Sequence, residues 1–255
     1  MDREMSESGT KRTMGAAIAA VAALGLMTGC GSDSGDGKSD GAKQDDKPAS
    51  AASAAKPLSA SALERATLAS GELKGFEIQK MTDKEVSEGG SAKAGKAECQ
   101  PLAALMGSQY DPAPKASVHR AYATDLTKAK IGGAGLIRVS SYGPGDAERT
   151  VKDLSEAVTA CQGGFPAKDG SGEKSDVKKV AQLEAPKAGD EALAFSLHDA
   201  SEAKAVVNFT VVRSGPQLMV FFGTNLADPT KSEVPAALVD AQVAKVEKAT
   251  RGAAS

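Results

Sequence analysis

Residues 206–222 read VVNFTVVRSGPQLMVFF, and this stretch decides the fold. Val207, Phe209 and Val211 recur at every second position, as do Leu218, Val220 and Phe222, which is the period of a strand. Ser214-Gly215-Pro216 between them is a tight turn, so strands over 206–212 and 218–222 form a hairpin. Upstream, Leu193, Phe195 and Leu197 alternate over 192–197, and a weaker run covers 177–183. Successive short strands joined this way describe an antiparallel meander.

Working outward, residues 146–162 carry the clearest helical period. Ala147, Val151, Leu154, Val158 and Cys161 fall on one face, and Gly163-Gly164 ends the run. Strands are predicted over 118–126 and 136–142, and a short one near 76–80. Two helices precede that strand pair. The first has Ser61 and Glu64 in the spacing of a capping box and Gly71 as its stop. The second opens at Cys99 with Pro101 in its first turn. A last helix starts near Val234 and buries Val239, Val243 and Val246. This order predicts the α+β class: one mainly antiparallel β-sheet with helices packed on a face, spanning 58–255.

The start of the chain predicts an address. Lys11 and Arg12 precede an apolar core from Ala16 to Met27, and Leu26-Met27-Thr28-Gly29-Cys30 closes it. The core holds about 13 residues, short of the ~20 that span a bilayer, and the arrangement is that of a signal peptide over 1–29. Its end resembles a bacterial lipobox. The resemblance implies that Cys30 carries a diacylglyceryl group and becomes the new N-terminus, anchoring the chain to the extracytoplasmic face of the cell membrane; two acyl chains suffice for stable anchoring. Residues 30–57 are Gly, Ser, Asp, Ala, Lys and Pro without large apolar side chains, a composition that predicts a disordered linker. It spans roughly 30 Å on average and about 90 Å when taut.

Removing residues 1–29 leaves 28 basic and 30 acidic side chains. So balanced a surface excludes an electrostatic footprint for nucleic acid. Trp is absent and aromatics are 4% of the chain, which argues against a sugar-stacking platform. Cys99 and Cys161 are an even pair in a compartment that permits disulfides, each placed at a helix, and we read them as a structural disulfide. A metal pair lacks further ligands at suitable spacing.

Cys99 before Pro101-Leu102, Cys161 ending its helix, Gly189-Asp190-Glu191-Ala192 before a strand and Val211-Val212-Arg213-Ser214-Gly215 at a hairpin together resemble a group of actinobacterial lipoproteins. These are related to the extracellular sensor domains of PknH-type kinases and to the PsbP-like LpqN proteins. The likeness covers roughly residues 58–250. It implies a curved sheet with a cleft and a ligand- or partner-binding role without chemistry. The kinase sensors typically carry a second disulfide, for which this chain has no cysteines.

No catalytic residue, metal site or cofactor is assigned. His119 and His198 are each centred in a predicted strand, where the plain reading is a ring facing solvent or a sheet edge and the sharper one a pH-sensitive cleft. Gly170-Ser171-Gly172-Glu173-Lys174-Ser175 has Glu where a phosphate loop needs Gly before Lys. Asp190 and Glu191 are adjacent, and neighbours in a strand point to opposite faces. Arg120, Arg138 and Arg213 lie in predicted strands amid small or apolar residues. They read either as a solvated sheet face or as a cleft of guanidinium groups that fork onto a carboxylate or phosphate, which requires all three on one face. The function that fits is a membrane-anchored, non-enzymatic lipoprotein binding a small molecule, lipid or protein partner. The alternatives are an accessory subunit of a membrane kinase or transporter without a small-molecule pocket, and, more remotely, an envelope hydrolase.

Overall fold

The computed structural model describes residues 56–124, 132–201 and 205–253. Five α-helices occupy Ala60–Ala66 (α1), Asp83–Glu88 (α2), Gln100–Ala104 (α3), Asp146–Ala160 (α4) and Ala236–Ala253 (α5). Nine strands occupy Phe76–Lys80 (β1), Lys93–Ala94 (β2), Ala116–Thr124 (β3), Gly133–Ser141 (β4), Ala167–Lys168 (β5), Val177–Leu183 (β6), Glu191–Asp199 (β7), Val206–Ser214 (β8) and Gln217–Asn225 (β9). Seven strands form one antiparallel sheet in the order β1-β3-β4-β9-β8-β7-β6, and β2 pairs with β5 alone. This is the α+β class the sequence predicts.

The quoted hairpin is the centre of the sheet. Ser214 pairs with Gln217 across the turn, and Gly215 has φ +57°, which suits the first central position of a tight hairpin. Consecutive Phe221 and Phe222 point to opposite faces, so β9 feeds two cores. On one face Phe195, Phe209, Val211, Leu218 and Val220 meet α3 and α4. On the other, Val118, Ile137, Val139, Val212, Met219 and Phe221 meet α1 and α5. Helices pack on both faces of the sheet, because β9 is apolar on both sides, with Leu218, Val220 and Phe222 on one and Met219 and Phe221 on the other.

On the first face α4 buries Ala147, Val151, Leu154 and Val158 against the sheet. Cys161 caps its end and is joined to Cys99, at the start of α3, by a disulfide with the Cα atoms 6.0 Å apart. On the second face Gln242 of α5 is fully buried and reaches back to α1. Its Oε1 accepts from Leu68 N at 2.9 Å and its Nε2 donates to Ala66 O at 2.8 Å.

The helix starts differ from the sequence reading. The N-cap of α1 is Ser59, whose hydroxyl accepts from Ala62 N, and the helix ends at Thr67 rather than Gly71. Glu64 is instead drawn to Arg120 and Lys80. The capping box belongs to α2, between Thr82 and Glu85. Cys30, the signal segment and nearly all of the linker lie outside the described residues, as does Leu126. Leu58, where the domain is expected to begin, is buried.

Candidate ligand-binding pocket

The three arginines do not share a cleft. Arg120 pairs in register with Ile137 and so lies on the α1/α5 face. Arg138 and Arg213 lie on the α3/α4 face, in register with Val220 and Leu218. The predicted common guanidinium site is thereby corrected: side chains at odd register offsets take opposite faces.

Two of the three are answered within the protein. Arg120 is 3% exposed; its Nε donates to Leu68 O at 3.1 Å, one terminal nitrogen to His119 O at 3.2 Å and the other to Glu64 Oε1 at 2.7 Å. Burial works to raise the Glu64 carboxyl, yet hydrogen bonds from Arg120 and Lys80, with their charges, hold it below its ordinary value. Arg213 stands among three carboxylates, with Glu191 at 2.9 Å, Asp190 at 3.2 Å and Glu148 at 3.6 Å. Asp190 precedes β7, so it and Glu191 both turn to Arg213 despite being adjacent.

Arg138 is different. It is 5% exposed and makes no hydrogen bond or ion pair among the described residues, and its Nε is buried without an acceptor. The Tyr110 ring covers it, with the guanidinium carbon 3.4 Å from the ring centroid. Burial pulls its pKa down to about 10, which still leaves a cation at neutral pH. Beside it in register stands His119, half-buried, with Nε2 enclosed and unpartnered. Burial, then the charge of Arg120, holds this imidazole below its ordinary pKa. His119 thus turns its Nε2 inward while part of the ring stays exposed.

These two side chains line a cavity of about 280 Å³ between the sheet and the α2–α3 region. Its floor includes Val220 and Phe222, Leu136 stands at its mouth, and its roof includes Val86, Leu105 and Met106. The roof is braced locally: Ser108 N donates to Gly90 O at 2.9 Å, and Tyr110 Oη to Gly107 O at 2.7 Å. Gly107 runs so close to the chain opposite that a Cβ there would meet Gly90 O at 2.9 Å. The carboxylate of Glu85, also lining the cavity, is held by Thr82 N and Oγ1 at 2.7 and 2.8 Å. A second cavity of about 250 Å³ adjoins, sharing Met106, Phe209 and Phe222.

The other histidine offers a Ser–His contact, Ser196 Oγ to His198 Nε2 at 3.0 Å. Ser196 is buried, and among the described residues no carboxylate bonds the imidazole, so no accessible nucleophile with an orienting acid is assembled there. Residues 170–175 form a turn in which Asp169 accepts from Ser171 and Glu173. Among the described residues no group of three or more His, Cys, Asp and Glu side chains could hold a metal ion, and no helix is long and apolar enough to cross a membrane.

No known family profile and no curated protein matches the chain. Among solved structures it is similar to the extracellular domain of PknH from Mycobacterium tuberculosis, with a TM-score of 0.49 and 9% identity over 77% of this chain and 99% of that one. A likeness at that level carries nothing over to this chain.

Proposed function

We propose that this chain is an extracytoplasmic, lipid-anchored binding domain, without chemistry of its own, that receives a small molecule in the pocket between the sheet and the α2–α3 region. The observation that carries the reading is the preformed apolar cavity of about 280 Å³, close to the lower end of ligand-site volumes, ~300 Å³. Backbone hydrogen bonds hold its roof, so binding need not first order a loop. The Cys99–Cys161 disulfide suits an oxidising compartment. Anchoring through Cys30 rests on the lipobox alone.

The test is an NMR titration of the full, unlipidated chain with 1-hexanol, a neutral apolar probe. Saturable amide shifts centred on Gly107, Leu136 and Val220 are expected. Leu136→Trp, at the partly exposed mouth, should abolish them and leave the rest of the spectrum unchanged. Shifts that never saturate, or that persist in the Trp variant, contradict the reading.

A further inference from the structure

Arg138 is a buried cation for which the described part of the chain supplies no anion. The contrast with its counterparts is internal to the molecule. Arg120 has a carboxylate and two carbonyls, and Arg213 has three carboxylates. A desolvated guanidinium left unpaired opposes folding, because attraction to an anion is what offsets its lost hydration. Among the described residues the compensation is the face of Tyr110. His119 Nε2, at the neighbouring register position in the same cavity, is likewise enclosed without a partner. The other polar groups of the cavity wall are committed: Glu85 to Thr82, Ser108 to Gly90 O, and Tyr110 to Gly107 O.

An apolar cavity with one unanswered cation at its wall has the complement of an amphiphile. We propose that the pocket binds a monocarboxylate with a short apolar chain, its head forked onto the Arg138 guanidinium and its tail laid among Leu105, Met106, Leu136, Val220 and Phe222. One guanidinium balances one negative charge, which favours a carboxylate over a doubly charged phosphate monoester. At roughly 30 Å³ for each group of about water size, the cavity holds a chain of about six carbons with its head; the adjoining cavity beyond Met106 and Phe222 also carries Asp169, Asp176 and Asp199. This inference rests on the pocket reading above, and its test separates the two.

The experiment is a titration of the full, unlipidated chain with hexanoate, 1-hexanol, butanoate and acetate, read by amide shifts. Hexanoate should bind at least tenfold more tightly than 1-hexanol. Affinity should rise about threefold to fourfold per methylene from butanoate to hexanoate, and acetate should give no saturable shift. In Arg138→Met the preference for hexanoate over 1-hexanol should disappear. Arg138→Lys, which keeps the charge and loses the fork, should fall between. Equal binding of hexanoate and 1-hexanol by the unaltered chain overturns the anionic head and leaves the pocket standing, and that comparison needs no variant to fold. A preference for hexanoate that survives in Arg138→Met also overturns it. Binding of neither probe overturns both readings.

Discussion

Arg120 and Arg138 sit one strand apart, both buried, and the chain treats them in opposite ways. Arg120 joins α1 to the sheet: its three hydrogen bonds reach Leu68, His119 and Glu64. Replacing it with Met leaves those acceptors without their donor, so Arg120→Met should lower the unfolding free energy by about 2–3 kcal/mol in urea denaturation. Arg138→Met removes a charge with nothing to answer it, and its unfolding midpoint should stay at or above that of the unaltered chain. A Met variant at 138 as destabilised as that at 120 would make Arg138 structural. His119 adds a pH term. Burial and the charge of Arg120 hold its imidazole below the ordinary value, so the unfolded chain binds the proton first as pH falls. The full contribution is present above the unfolded pKa of about 6.5 and is lost as pH drops through the folded value. Denaturation at pH 7.5 and 5.5 should show stability falling, and the fall should be smaller in His119→Gln. His198, also lowered by burial, accounts for the remainder; the lowered carboxylates act at more acid pH.

The elements were legible in proportion to how much of their own surface they bury. The hairpin of β8 and β9, the strand β7 and the helix α4 carry their period in the sequence, and each, with the weaker run of β6, appears within a few residues of its predicted bounds. Among the shortest elements, α3 was marked by Pro101 in its first turn, whereas α2 with six residues and β2 and β5 with two each were missed. The pocket was hidden with them, since its roof is α2 and the segment after α3. Arg138 itself was visible as a candidate; what set it apart was that Tyr110, from a loop, covers it and no carboxylate reaches it. The hold on α1 was hidden too, because Gln242 lies 174 residues from its partner Leu68. Gln242→Ala leaves a buried N–H and a buried C=O unpaired and should cost about 2 kcal/mol or more, with early amide exchange in 60–68. Exchange spread evenly over the molecule would show that Gln242 is not what holds α1. Opening the Cys99–Cys161 bridge by a double Ala substitution should cost about 2–4 kcal/mol, measured the same way.

At the scale of the whole molecule the domain has two cores on one sheet, and they divide the labour. On the α1/α5 side the buried polar groups Arg120 and Gln242 tie one element to another. The α3/α4 side is stapled by the disulfide yet leaves a cavity at the α2 end of its face. The proposed anchor at Cys30 would suspend this domain on a linker about 90 Å long when taut. On that account Cys30→Ala moves the protein from the envelope fraction to the soluble fraction after export. The most direct measurement concerns the pocket itself: a crystal structure of the chain grown with hexanoate. The account predicts the carboxylate within about 3 Å of the Arg138 guanidinium and the hydrocarbon against Leu136, Val220 and Phe222. Hexanoate bound elsewhere, or lodged in this cavity with its carboxylate turned away from Arg138, contradicts it.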